Sequence, residues 1–152
     1  MYNCKYIKGH RLKTIRAAAN CIIPEHAGLS SGGTLETAAV VDWAIDQMPK
    51  ELRVQFLLFI SIVNASGIFF GGRPFHRLSY QDQIRQLKWM ESSPLAPFRL
   101  GFMGLKNYIC MGYFTREQNW SDIKYQGPIL YDQPSPDDII RKLCQGKIGI
   151  RS

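Results

Sequence analysis

Apolar residues recur every three or four positions in two segments near the start of the chain, residues 10–23 and about 34–48. The first segment predicts an amphipathic helix over residues 10–23, which ends before Pro24 because proline disfavours helical geometry in the preceding residue. After a loop rich in glycine and serine, Thr34 is placed to cap a second helix. Asp42 and Asp46 lie opposite the apolar face of this second helix, and we expect both carboxylates to be solvated.

A third helix is predicted from Pro49 to about Gly67, and it is apolar on nearly every side. Proline suits the first turn of a helix, where its missing N–H would have no partner. The pattern indicates a helix surrounded by other helices or by a partner protein. Residues 54–70 are also the one candidate membrane span, but their length is at the bottom of the spanning range of about 17–25 residues. We therefore interpret the segment as a buried central helix.

A turn and two further helices follow the third helix. The glycines and the proline of residues 71–74 predict the turn. Ser79, followed by Asp82 three positions later, is a typical N-cap for a fourth helix over about 80–92. A fifth helix is predicted over about 97–111, and its two glycines either weaken it or permit close packing against another helix.

Residues 112–134 show no sustained periodicity and are rich in aromatic side chains. So many aromatic residues in such a long irregular segment indicate an arm that another protein buries. The predicted interface residues are Tyr113, Phe114, Trp120, Tyr125 and Tyr131. For the first two, the alternative is that they close the core of their own domain after the fifth helix.

The fold class is therefore predicted to be all-α, a compact bundle of about five or six helices with an irregular, aromatic-rich C-terminal arm. Residues 1–111 are expected to form the helical domain. Residues 112–152 are expected to form the docking arm and a short C-terminal helix, within one structural unit.

Composition and charge narrow the class of protein only slightly. The chain has 152 residues, of which 45% are hydrophobic and 20% are charged, which is typical of one globular domain. Its net charge of +7 allows an acidic partner such as nucleic acid, an anionic membrane or an acidic protein face. The basic residues are scattered along the chain, so the charge alone does not select among these partners.

No motif in the sequence indicates a catalytic, cofactor-binding or metal site. The three histidines form no metal-binding pair, and no glycine-rich phosphate motif follows a strand. Cys21 and His26 could form a nucleophile pair, but a cysteine in an apolar helix is more often structural. No two of the four cysteines have the short spacing of a zinc or redox motif, so four reduced thiols are expected.

Five short motifs occur in a characteristic order along residues 12–122. They are Ile22–Pro24, Val40–Asp42, Pro49–Arg53, Gly72–Ser79 and Met111–Thr115. Together they resemble the gluconate 2-dehydrogenase subunit 3 family, whose members are small helical subunits of FAD-dependent dehydrogenases of the glucose-methanol-choline type.

The resemblance implies a non-catalytic subunit that binds and stabilises a large FAD-binding oxidoreductase and assists its maturation. It places the FAD in the partner subunit, with none in this chain, and it implies electron transfer through the partner to a cytochrome or another acceptor. Many members carry a twin-arginine export signal. Neither that signal nor a secretory signal peptide is seen here, so a cytoplasmic location is expected.

The alternative function is a helical regulator that binds nucleic acid. The net charge and the polar residues of the fourth helix would support it, with that helix acting as a recognition helix. The residues concerned are Gln81, Gln83, Arg85, Gln86 and Lys88. A solvated helix face has the same composition, so no nucleic-acid partner is predicted. The chain is also not expected to be an integral membrane protein.

Overall fold

The computed structural model describes residues 4–26, 28 and 30–120, and within them every regular element is helical. The elements are α1 (His10–Ile22), α2 (Leu35–Asp46), α3 (Lys50–Ser66), the single turn α4 (Ile68–Gly71), α5 (Tyr80–Ser92) and α6 (Ala96–Phe114), with 3₁₀ turns at Phe75–Arg77 and Glu117–Asn119. The prediction of an all-α bundle is confirmed. The predicted C-terminal helix and the part of the arm beyond residue 120 lie outside the described residues.

Local capping determines where two of the helices begin. The Thr34 hydroxyl accepts a hydrogen bond from the Thr37 N–H at 3.3 Å, and the Ser79 hydroxyl accepts one from the Asp82 N–H at 3.2 Å. Each bond satisfies an N–H that has no partner within its own helix. Gly72 ends α4 with a φ of +68°, a left-handed conformation that favours glycine. Thr34 and Ser79 are the residues from which the starts of α2 and α5 were predicted, and Gly72 belongs to the predicted turn.

The buried core lies where α1, α2, α3, α5 and α6 meet. Its fully buried large hydrophobic residues come from all five of these helices, from the segment before α1 and from the turn before α5. They are Ile7, Ile15, Val41, Ile45, Ile60, Val63, Phe75, Met90, Leu105, Ile109 and Tyr113. The most extensive contact between two helices joins α2 to α6, where a Cβ on Gly112 would come within 2.8 Å of the Thr37 carbonyl oxygen. The absence of a side chain at Gly112 thus allows the two helices to approach closely.

Asp42 is buried, and the prediction that it lies on a solvated helix face is wrong. Its carboxylate accepts hydrogen bonds from the backbone N–H groups of Lys5, Tyr6 and Ile7 at 2.6, 2.9 and 2.7 Å. These donors belong to an irregular segment before α1 that provides no helical partners for them, so the carboxylate attaches that segment to α2. Asp46, one turn later, is partly exposed and pairs with the Lys5 ammonium at 3.0 Å.

Arg53 joins the end of α2 to the first turn of α3. Its guanidinium donates to the carbonyl oxygens of Ile45, Asp46 and Met48 at 2.9–3.2 Å and to the Tyr6 hydroxyl at 2.7 Å. The last carbonyls of a helix lack intrahelical partners and carry partial negative charge. A single arginine therefore neutralises the end of α2 and fixes α3 beside it.

α3 lies at the surface of the bundle, and the prediction of a buried central helix is wrong. Only Phe56, Ile60 and Val63 are buried, because neighbouring helices cover one of its faces and leave the other exposed. Counted with α4, residues 50–71 form the one helix of the described chain that is long and apolar enough to cross a membrane. Only 22% of its most apolar stretch of 18 residues is buried.

Two glycine positions provide a matched test of the packing around α3. A Cβ on Gly67, between α3 and α4, would overlap Phe75 N and lie 2.7 Å from the Arg73 carbonyl oxygen, whereas a Cβ on Gly104 would meet only Phe56 Cε2 at 3.7 Å. We expect Gly67→Ala to lower the free energy of unfolding by about 2 kcal/mol through backbone overlap. Gly104→Ala should raise it by about 0.5–1 kcal/mol through helix propensity. Urea unfolding followed by circular dichroism measures both, and equal effects would contradict the packing described.

Asp42 and Asp46 provide a second matched pair. Asp42→Asn should lower the free energy of unfolding by about 2 kcal/mol, because its amide NH₂ group would face backbone donors in a buried site. Asp46→Asn should cost less than about 1 kcal/mol, since its ion pair with Lys5 is partly solvated. If the two variants unfold at the same urea concentration, the N-terminal segment does not depend on Asp42.

Candidate partner-binding surface

An apolar groove lies between α3 and the first two thirds of α6. Its volume is about 670 Å³. It is lined by Met48, Leu52, Gln55, Phe56, Leu58, Phe59, Ile62, Pro97, Leu100, Gly101, Gly104 and Tyr108. None of these side chains is charged, so the groove offers apolar contact with few polar groups to orient an occupant.

The floor of the groove depends on Gly101 and on a pair of aromatic rings. The Phe59 ring lies directly over Gly101, where an added Cβ would come within 2.8 Å of Phe59 Cζ. Deeper in the groove, the rings of Phe56 and Tyr108 meet edge to face with their centroids 5.4 Å apart. Of the two roles left open for the glycines of α6, close packing is therefore found at Gly101.

Large apolar side chains form the rim of the groove and remain exposed. Leu52 and Leu58 on α3 and Leu100 on α6 are 49%, 57% and 62% exposed, and Ile62 is 40% exposed. Single exposed leucines are common on protein surfaces, but a contiguous apolar patch around a groove marks an interaction site. The groove and its rim therefore form the candidate functional site.

Tyr113 lies inside the bundle, and its prediction as an interface residue is wrong. α6 continues through Phe114, past the predicted boundary at residue 111, and Tyr113 is 1% exposed. Its hydroxyl donates to the Ser30 carbonyl oxygen at 2.9 Å, which ties the loop before α2 to the end of α6. The alternative stated for this residue, closure of the domain's own core, is what the structure contains.

Phe114 and Trp120 lie together at the C-terminal end of α6. Phe114 is 43% exposed, and its carbonyl oxygen accepts a hydrogen bond from the Trp120 indole N–H at 2.8 Å. The chain thus folds back after the short 3₁₀ turn instead of leaving the bundle as an extended arm at this point. Tyr125 and Tyr131, the remaining predicted interface residues, lie outside the described residues.

The groove residues were not predicted as a site. One signal was present in the sequence of α3, which carries apolar residues on most of its faces. Neighbouring helices on one side of α3 cannot cover all of these faces. Gly101 and Gly104 of α6 were a second signal, since residues without a side chain permit close packing against another helix. Periodicity does not reveal which face of α3 the other helices cover, and that choice decides where the groove lies.

The three described cysteines, Cys4, Cys21 and Cys110, are free thiols. Burial, together with the nearby Asp42 carboxylate, raises the pKa of Cys4 to about 11, and burial raises the pKa of Cys21 to about 11. Burial also raises the pKa of Cys110. The Cys21 thiol lies 3.4 Å from the Gln83 side-chain oxygen, to which it donates, so it is hydrogen-bonded to an amide and not to an imidazole. A low-pKa nucleophile is not found among these three thiols.

No group of three or more His, Cys, Asp or Glu residues in the described part of the chain is placed to hold a metal ion. His76 Nδ1 lies 2.7 Å from the Asn64 side-chain oxygen. Burial lowers the pKa of His76, and the nearby charges of Arg77 and Lys13 lower it further. The neutral imidazole is therefore favoured, and it serves as a hydrogen-bond partner between α3 and the 3₁₀ turn before α5.

Two of the five polar residues proposed for a recognition helix point into the bundle. The Gln83 amide donates to the Phe75 carbonyl oxygen at 2.9 Å, and the Gln86 amide donates to the Val63 carbonyl oxygen at 2.7 Å. Both side chains are buried, so they connect α5 to its neighbours and are unavailable to contact bases. This arrangement weakens the support for the nucleic-acid alternative.

No protein-family model matches the chain, and searches of the curated proteins and of the solved structures find no match. The resemblance to the gluconate 2-dehydrogenase subunit 3 family stays a prediction that rests on the five sequence motifs.

The raised pKa values of the thiols predict slow alkylation of the folded chain. At pH 8, a thiol with a pKa of about 11 is about 100-fold less ionised than one with the ordinary pKa of 9.0. Cys4 and Cys21 should therefore react about 100-fold more slowly in the folded chain than in the denatured chain. Iodoacetamide labelling followed by peptide mass spectrometry measures each site, with the denatured chain as the control. Labelling of Cys21 in the folded chain at the denatured rate would contradict the burial described.

Proposed function

We propose that this chain is a non-catalytic small subunit that binds a large FAD-dependent dehydrogenase of the sugar- or alcohol-oxidising type, stabilises it and assists its maturation. The observation that carries the proposal is the uncharged groove between α3 and α6 with its exposed apolar rim. The family resemblance supplies the identity of the partner. A cytoplasmic location of the complex stays a prediction.

The shape of the groove favours a protein occupant over a small molecule. Its widely exposed rim would remain in water if only a small ligand occupied the floor, whereas a protein face can cover the floor and the rim together. An apolar centre that includes aromatic residues is typical of the buried core of a protein interface. Fully burying one leucine side chain contributes about 1.5–3 kcal/mol, so burying the exposed half of Leu58 and of Leu100 would contribute about 1 kcal/mol each.

The chemistry of the groove also supports placing the FAD in the partner. A dinucleotide requires donors for its pyrophosphate, such as a helix N-terminus or cationic side chains. The groove is lined by apolar side chains, two glycines, one glutamine and one tyrosine, with no cation among them. Its residues fit an apolar protein surface and do not fit a flavin nucleotide.

Phe114 and Trp120 are proposed as a second contact with the same partner. They lie near the C-terminal end of α6, beyond the groove, and Phe114 exposes nearly half of its surface. Tyr125 and Tyr131 stay in this proposal as sequence-based predictions. Tyr113 is removed from it because its side chain is inside the bundle.

The experiment is co-purification of the tagged chain with its dehydrogenase. Leu58→Glu and Leu100→Glu place a charge in the groove rim, and each should weaken recovery of a flavin-containing large subunit at least about tenfold. Leu35→Glu is the matched control, because Leu35 is a 38% exposed leucine at the start of α2, outside the groove. Flavin absorbance per tagged chain gives the recovery, and circular dichroism checks that each variant is folded.

Three other results would change or reject the proposal. If Trp120→Ala abolishes recovery while both groove variants retain it, the C-terminal end of α6 is the dock and the groove is not. If the three leucine variants behave alike, the groove has no specific role. If the wild-type chain recovers no flavin-containing protein, the proposed partner is wrong.

A further inference from the structure

A second exposed surface, distinct from the groove, lies where α4 packs against α5. Phe69 is the most exposed large apolar residue of the described chain, at 89%, and its neighbour Ile68 is also exposed. Trp89, on α5, is partly exposed beside them. We call the surface formed by Ile68, Phe69, Arg73, Arg85, Lys88 and Trp89 the α4 patch.

The α4 patch is held in place by contacts made through Phe70. The Phe70 ring lies against Trp89 with centroids 5.9 Å apart, and its carbonyl oxygen accepts a hydrogen bond from the Arg85 guanidinium. Gly67, packed against the backbone at Phe75, fixes the start of the same turn. Because Phe70 faces α5, the preceding Ile68 and Phe69 project outward from a fixed support.

The charges around this projection are mainly positive. Between residues 68 and 92 the chain has four Lys and Arg residues but only two carboxylates, Asp82 and Glu91. Asp82 pairs with Arg85 at 3.0 Å, and Glu91 pairs with Lys106 at 3.2 Å. No carboxylate in the described part of the chain lies within ion-pair distance of the exposed Arg73 or Lys88. These two cations are therefore available to an anionic ligand.

We propose that the α4 patch binds the surface of a bilayer that contains anionic phospholipids. Phe69 and Ile68 enter the boundary between headgroups and acyl chains, and Arg73 and Lys88 contact lipid phosphates. Trp89 lies at the level of the headgroups, where amphipathic aromatic rings are favoured. Apolar side chains that insert beside cations match both the acyl layer and the charge of such a membrane.

Two arguments support contact with a membrane surface, the first from the side chain of Lys88 and the second from the buried face of α3. Lysine is depleted at the centre of protein interfaces, whereas at a bilayer its long side chain can reach the headgroups beside an inserted aromatic ring. A transmembrane position of residues 50–71 would remove Phe56, Ile60 and Val63 from the core of the bundle. Contact through α4 leaves these residues buried. This inference does not rest on the proposed function, because the patch and the groove share no residue.

Co-sedimentation of the purified full chain with vesicles tests the proposal. We expect binding to vesicles of phosphatidylcholine mixed with phosphatidylglycerol, weaker binding at high salt, and little binding to phosphatidylcholine alone. Phe69→Ser should weaken binding to the anionic vesicles at least about tenfold by removing the inserted ring. The double variant Arg73→Glu with Lys88→Glu should reduce binding to the level of the neutral vesicles.

Two variants serve as matched controls. Lys50→Glu reverses an exposed charge at the other end of α3, roughly 27 Å from Ile68 along the helix axis. Leu100→Ser removes an exposed leucine of the groove. Both should retain binding within about twofold, a margin that allows only for the small loss of overall charge or apolar area.

The proposal is overturned if the wild-type chain does not bind anionic vesicles or binds neutral ones equally well. It is also overturned if Leu100→Ser weakens binding as much as Phe69→Ser, since the groove would then be the contact. Because all the substituted side chains are exposed, circular dichroism should be unchanged. The comparison of the two vesicle types with the wild-type chain remains decisive even if one variant fails to fold.

Discussion

Asp42 and Arg53 hold α2, α3 and the N-terminal segment in one arrangement, and the orientation of α3 follows from it. Arg53 must face the end of α2 to reach its carbonyl oxygens. With 3.6 residues per turn, Ile60 then lies on the same side as Arg53, while Ile62 lies on the opposite side. The exposed apolar face of α3 is thus set by a polar contact in its first turn.

The groove and the α4 patch have a common origin in that orientation. α1 covers the inner side of α3, and α6 approaches it through Phe59 over Gly101 and through the Phe56–Tyr108 ring pair. The chain has no further described helix to cover the outer side, so apolar residues from Leu52 to Phe69 remain accessible. Such a surface favours association with an apolar surface of another molecule. The groove at one end of it and the α4 patch at the other differ in charge. The groove is uncharged, whereas the α4 patch is flanked by cations.

The sequence predicted the helices well because their limits depend on neighbouring residues. Thr34, Ser79 and Gly72 act within a few positions of where they stand, and the predicted span of 80–92 matches α5. The burial of Asp42 could not be predicted in this way, since its donors are 35 to 37 residues away. The end of α6 was missed because the residues from 112 onward show no sustained periodicity, whereas the small size of Gly112 permits contact with α2. The groove was missed because periodicity does not identify the covered side of α3.

The attachment of the N-terminal segment through one carboxylate has a consequence for local fluctuations. The amide hydrogens of Lys5, Tyr6 and Ile7 all bond to the Asp42 carboxylate. Separation of the segment from this carboxylate would therefore expose all three amides to solvent together. We therefore expect the segment to open as a single cooperative unit. Each opening would also withdraw Ile7 from the core and uncover Cys4, which would couple the exchange of three amides with solvent to the accessibility of one thiol.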